Sequence, residues 1–188
     1  PRGADGNYDS NYLEEKSKIQ TESFTIAFDT AHAFAAGFTI RGTIQTDSFI
    51  ASATDKRVKE QGILNGVSLL TGGRLESLSS DKGIVEIHQN VKFSVGGVSE
   101  GNIGTVSNME TVIDGGTLIV GKYAAMDDIT LINGSVEIKT VDDEDKGRVL
   151  GDITVKGGTM SLNNANITSN IEMISGEGGT SDTRNHLG

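Results

Sequence analysis

VIDGGTLIVG, residues Val112 to Gly121, carries the reading of the whole chain. Leu118 and Val120 alternate with Thr117 and Ile119, the period of two that a half-buried strand requires. Gly115-Gly116 sets a tight turn immediately before them, because only glycine enters positive φ without steric cost. Two other places repeat the phrase: Gly72-Gly73-Arg74-Leu75 and Gly157-Gly158-Thr159-Met160. In each, the first apolar residue stands two places after the second glycine.

Working outward, glycine pairs also fall at Gly96-Gly97 and Gly178-Gly179, and Asn133-Gly134 fills the remaining gap. Their first positions, 72, 96, 115, 133, 157 and 178, lie 24, 19, 18, 24 and 21 residues apart. Between them run short alternations such as Val67/Leu69, Val85/Ile87, Val91/Phe93/Val95, Val136/Ile138 and Ile153/Val155. A unit of this size cannot bury its own inward side chains, so it must stack on a copy of itself. Stacked turns pair their strands in parallel about 4.8 Å apart and set Leu118 on Val136. The expectation is an all-β chain, a right-handed parallel β-solenoid, or β-helix, with roughly 20-residue turns. The hand rests on the general preference of parallel crossovers.

The expected organisation is a polar N-terminal arm or cap edge over 1–20, the solenoid over 21–176, and a flexible C-terminal tail over 177–188. Phe24, Ile26 and Phe28 already alternate with Thr25 and Ala27, and Phe38, Ile40 and Ile44 continue the pattern. The charged stretch Ala51 to Gly62 breaks it, as a loop or a short capping helix would.

Composition agrees. The 188 residues include 25 Gly, 1 Pro, no Trp and only 5% aromatics, so the core must be aliphatic and the turns many. Sixteen basic against 26 acidic residues give a net charge of −10. Such a surface repels phosphate backbones and anionic lipid, which takes nucleic acid out of the expected partners, and with no run of 18 apolar residues no membrane insertion is expected. The absence of cysteine excludes a disulfide framework, a zinc-thiolate site and a cysteine nucleophile.

VIDGGTLIVG, with ITVKGGTMSL (Ile153 to Leu162) and the looser LINGSVEI (Leu131 to Ile138), resembles the passenger regions of bacterial autotransporters, the type V secretion family. The resemblance covers roughly Val67 to Thr180; similar phrases occur in haemagglutinin-like exoproteins and phage tail proteins. It implies a long right-handed β-helix poor in Cys and Pro, secreted or held at the bacterial outer surface, and adhesin-like, with roles in cell adhesion and virulence. No aromatic-girdled translocator segment is read, so the resemblance implies a passenger alone.

Candidate chemistry is sparse. Asp5, Asn7 and Asp9 place oxygens as in the front half of a calcium loop, but Ser10 and Lys16 stand where its Gly and Glu belong. Asp142, Asp143 and Asp145, with Glu144 between, form the densest acidic run and the candidate metal ligands, calcium being the one cofactor considered. Asp127-Asp128 is the one candidate acid–base pair, and it would need basic residues on the same face. His32, His88 and His186 have no second ligand at metal spacing, and no G-x-S-x-G elbow is present. Asn163, Asn164, Asn166 and Asn170 suit turns or an internal asparagine ladder. Asn133-Gly134-Ser135 and Asn166-Ile167-Thr168 match the glycosylation sequon by accident of composition.

No catalytic set emerges, which weighs against an enzyme. The expected function is attachment or self-association through the faces of a β-helix, with a host surface protein, a glycan or a second copy as partner. The alternative is a carbohydrate-active β-helix, a polysaccharide lyase or hydrolase or a phage tailspike fragment. The expected repeat turns are Gly72, Gly73, Gly96, Gly97, Gly115, Gly116, Gly134, Gly157 and Gly158.

Overall fold

The computed structural model describes residues 11–28, 37–53, 65–70, 72–97, 99, 101–139, 148–163, 166–167 and 170–174. Among them no residue is helical, and every strand pairing is parallel. In chain order the strands are β1 (Asn11–Leu13), β2 (Lys18–Gln20), β3 (Ser23–Phe28), β4 (Gly37–Ile40), β5 (Thr43–Gln45) and β6 (Ser48–Ala53). Then follow β7 (Asn65–Leu69), β8 (Arg74–Glu76), β9 (Gly83–His88), β10 (Val91–Val95), β11 (Gly104–Ser107) and β12 (Met109–Val120). The last are β13 (Ala124–Met126), β14 (Ile129–Lys139), β15 (Arg148–Val149), β16 (Ile153–Val155), β17 (Thr159–Asn163), β18 (Asn166–Ile167) and β19 (Ile171–Met173).

These strands fall into three stacks. The first holds β3, β6, β9, the front halves of β12 and β14, β16 and β19. The second holds β1, β4, β7, β10, the rear halves of β12 and β14, and β17. Because β12 and β14 run through both, these two stacks make one 12-stranded sheet, while β2, β5, β8, β11, β13, β15 and β18 make a separate 7-stranded sheet. The chain visits the first, second and third stacks in unvarying rotation.

Period-two alternation puts one set of side chains inward on every stack. The columns Ile44–Leu75–Val106, Phe49–Val85–Thr111–Ile129–Ile153 and Val67–Phe93–Leu118–Val136 follow from the registers and are all buried. One apolar cluster joins all three stacks. Leu118 does pair with Val136. At the N-terminal end Phe49 stacks on Phe24, with centroids 5.7 Å apart, and meets Phe93 in a tilted contact at 6.0 Å. A fully buried large side chain contributes roughly 1.5–3 kcal/mol, so stability is spread over many small aliphatic increments.

Left-handed residues mark the corners, two of them, Gly115 and Gly134, inside the continuous strands β12 and β14. Among the described residues, all eight with left-handed backbone lie at boundaries between stacks. Asn90, Gly115, Gly134 and Gly158 turn the chain from the first stack to the second; Lys16, Gly72 and Tyr123 turn it from the second to the third; Asn108 alone turns it from the third to the first.

Along the third stack, Lys18, Thr43, Arg74, Thr105, Ala125, Arg148 and Asn166 are successive partners. Their intervals are 25, 31, 31, 20, 23 and 18 residues. The interval expected from the glycine pairs holds only for the later passes, since the earlier ones carry the extra segments 29–36, 54–64 and 98–103. Residues 11–20, within the expected polar arm, include the first strands of the second and third stacks. Of the charged stretch 51–62, Ala51–Ala53 completes β6 and the remainder lies outside the described residues, as do 177–188.

Candidate functional site: the Lys82–Asp128 corner and the polar faces

Lys82 precedes β9 at the corner leading into the first stack. Its ammonium donates to Asp128 Oδ2 and lies 3.8 Å from Asp127 Oδ1. Gly83 pairs with Met109, and Thr111 pairs with Ile129, so Lys82 reaches past one whole pass of the chain to touch Asp128. Asp128 Oδ1 accepts from the Asp152 backbone N–H at 2.9 Å. A β-carbon on Gly151 would overlap that oxygen, which is why a glycine precedes Asp152. Beside them Glu110 Oε1 accepts from the Thr130 hydroxyl at 2.7 Å.

The Asp128 hydrogen bond, with smaller help from Asp127, Asp128 and Glu110 as charges, raises the Lys82 pKa above its ordinary value. The ammonium therefore stays charged. Both Asp128 oxygens are engaged, so this corner brings Asp127, Asp128 and a lysine together on one face but uses them as a brace. Among the described residues no group of three or more acidic or histidine side chains is placed to hold a metal ion.

A second polar cluster fixes the loop before Lys82. Asp47 Oδ1 accepts from Ser77 Oγ, the Ser79 backbone N–H and Ser79 Oγ, each at 2.9 Å. These bonds, the Ser79 amide first, hold the Asp47 carboxyl below its ordinary pKa.

On the outer face of the third stack, Gln20 Nε2 donates to Gln45 Oε1 at 2.6 Å and Gln45 Nε2 donates to Glu76 Oε1 at 2.7 Å. This is an amide ladder, and neither glutamine was singled out from the sequence. Of the asparagines expected to make one, Asn164 lies outside the described residues, and the backbone places the other three apart. Asn163 pairs with Lys139, Asn166 with Arg148, and Asn170 adjoins Asp152, so they lie on different stacks of a single pass. A ladder needs the same position on successive passes.

The outer face of the second stack carries many hydroxyl side chains. Its columns are Tyr12–Thr39–Ser68–Ser94–Ile119–Glu137–Ser161 and Lys92–Thr117–Ser135–Thr159. Ser135 Oγ donates to Thr117 Oγ1 at 3.0 Å. Short hydroxyl side chains dominate, leaving donors and acceptors at strand spacing with few protruding groups.

The glycine pairs divide between two corners. Gly72-Gly73 and Gly96-Gly97 follow the second stack, whereas Gly115-Gly116, Gly134 and Gly157-Gly158 lie between the first and second. His88 stands 4.0 Å from Glu86 and meets no further ligand among the described residues. Asp142, Asp143 and Asp145 lie outside the described residues, as do His32, His186 and most of the Asp5–Asn11 stretch. No protein-family model matches this chain, and no curated protein or solved structure does either.

Proposed function

We propose that the three stacks close into a right-handed parallel β-helix that serves as a secreted or bacterial cell-surface adhesin-like module, of the kind found in autotransporter passengers. Its work is attachment or self-association through a sheet face. The observation that carries this reading is the hydroxyl-lined outer face of the second stack. Seven successive passes in parallel register make a surface whose weak contacts repeat at strand spacing. Repetition lets weak contacts add along a rigid body, as multivalent binding requires. The rotation of the chain through three stacks supports the coil, and the crossover preference supports its hand.

The partner is a second copy, a host surface protein or a glycan. Sedimentation across a concentration series, with and without calcium, tests the reading. Association that Ser94→Glu weakens, by placing charge and bulk mid-face, is the expected result. A calcium requirement would bring Asp142, Asp143 and Asp145 in as ligands. A monomer indifferent to calcium that also binds nothing on a glycan array would overturn the reading.

One observation favours the carbohydrate-active alternative: Lys82, Asp127, Asp128 and Glu110 share a corner. The engagement of both Asp128 oxygens, one by Lys82 and one by the Asp152 amide, counts against it. Loss of polysaccharide cleavage in Asp127→Asn, from a preparation that cleaves, would establish it.

A further inference from the structure

We propose that Asn133 is a site of spontaneous backbone modification, deamidating through a cyclic imide formed with Gly134. The chain contains two Asn-Gly dipeptides, Asn65-Gly66 and Asn133-Gly134. Their backbones are paired differently.

Asn133 is exposed, and the Gly134 backbone N–H donates to its own Asn133 Oδ1 at 2.9 Å. That bond holds the Gly134 nitrogen next to the carboxamide whose Cγ it attacks once its proton is lost. Gly134 has φ +101°, and the β12–β14 register breaks between Asp114 and Thr117, opposite this dipeptide. No regular ladder on that side holds the Asn133–Gly134 peptide extended. Asn65-Gly66, by contrast, stands in unshifted register, Asn65 with Val91 and Gly66 with both Lys92 and Gly37.

The corner itself imposes the susceptible dipeptide. A β-carbon on Gly134 would overlap the Gly116 carbonyl oxygen, so only glycine fits, and glycine leaves the amide nitrogen unshielded. Asparagine is among the thermolabile residues, and the step needs no co-reactant but water. The Gly134 nitrogen gives its proton to water or hydroxide and bonds to Asn133 Cγ. The carboxamide C–N bond then breaks, and the nitrogen leaves as ammonia with a proton taken from water. Water next opens the five-membered imide. Cleavage at Cγ yields aspartate, and cleavage at the main-chain carbonyl yields isoaspartate.

The two products differ in consequence. Aspartate repeats the preceding pass, where Asp114-Gly115 already occupies this corner opposite Asn133. Isoaspartate adds a methylene to the backbone between Ile132 and Gly134, where Gly116 and Gly158 are packed against Gly134.

The test is to hold the whole protein in warm, mildly alkaline buffer and follow its peptides by mass spectrometry. Asn133 should convert from amide to acid several-fold faster than Asn65, giving an aspartate and isoaspartate doublet that Asn133→Gln lacks. Conversion of Asn65 first would overturn the proposal. So would an Asn133 that stays amide in the protein while a peptide of residues 129–139 converts.

Discussion

Gly158 lies against Gly134 so closely that a β-carbon on Gly158 would stand 2.6 Å from the Gly134 carbonyl oxygen. Gly134 is packed in the same way on Gly116, one pass earlier. The corner between the first and second stacks is thus a column in which backbone rests on backbone. Gly158→Ala meets both this contact and a φ of +80°, and left-handed strain alone costs about 1–3 kcal/mol. We expect the unfolding free energy read from urea denaturation to fall by at least that amount. Gly101→Ala, where nothing lies within 4 Å and φ is not positive, should stay within about 0.5 kcal/mol of the parent.

Thr111 is buried in the core column between Val85 and Ile129, and its Oγ1 has no hydrogen-bond partner among the described residues. Leaving a buried hydroxyl unsatisfied costs about 1–3 kcal/mol. Thr111→Val keeps the branched shape and removes the hydroxyl, so it should stabilise the protein by about 1 kcal/mol. A lowered urea midpoint in Thr111→Val would show that this hydroxyl is satisfied.

The inward columns were legible because alternation is local: Val85/Ile87 and Leu118/Val120 declare their buried faces within five residues. The corners were not. Gly96-Gly97 and Gly115-Gly116 look alike in sequence, yet the first pair leaves the second stack and the second enters it. The apparent interval between them joins different corners. The true predecessor of Gly115 is Asn90, whose left-handed φ of 64° a glycine count overlooks. Asparagine tolerates that region better than most residues, without marking it uniquely. The ladder from Gln20 through Gln45 to Glu76 was hidden for a related reason. Its steps of 25 and 31 residues depend on loop lengths that no local pattern fixes. Lys82 and Asp128, 46 residues apart, meet only once two passes have been stacked.

Asp47 ties the Ser77–Ser79 loop to the preceding pass, and its pKa is lowered by the Ser79 amide and the two hydroxyls. A carboxyl with a depressed folded pKa binds protons more readily unfolded, so its contribution is present above the ordinary value and is lost as pH falls through the folded one. The loss should therefore occur below about pH 3.8. Asp47→Asn should be less stable at neutral pH and should flatten the decline below that point. An unchanged acid limb in chemical denaturation would remove Asp47 from the account.

Phe49 is fully buried, with Phe24 and Phe93 on either side. Few aromatics are available to refill the space, and short strands repack poorly. Phe49→Ala should cost about 3–5 kcal/mol, the range for truncating a buried phenylalanine. Phe49→Leu should recover much of this. Equal losses in the two variants would mean that ring stacking, rather than volume, holds the N-terminal passes together.

Lys82 and Asp128 form an exposed pair, with 42% and 31% of the side chains accessible. Solvent screening and side-chain entropy limit such a pair to about 0.2–1 kcal/mol. Losing Asp128 does more than losing Lys82, however, because Asp128 Oδ1 also accepts from the Asp152 amide. Asp128→Ala should therefore destabilise more than Lys82→Met. The coupling energy from the double-mutant cycle should stay within the exposed-pair range and shrink with added salt. The raised Lys82 pKa sets the sign at high pH. Its contribution is complete below the ordinary lysine value of 10.5 and is lost as pH rises through the higher folded one. Salt-insensitive coupling, or equal losses from the two single variants, would mean that Lys82 acts through packing of its methylene stem rather than through charge.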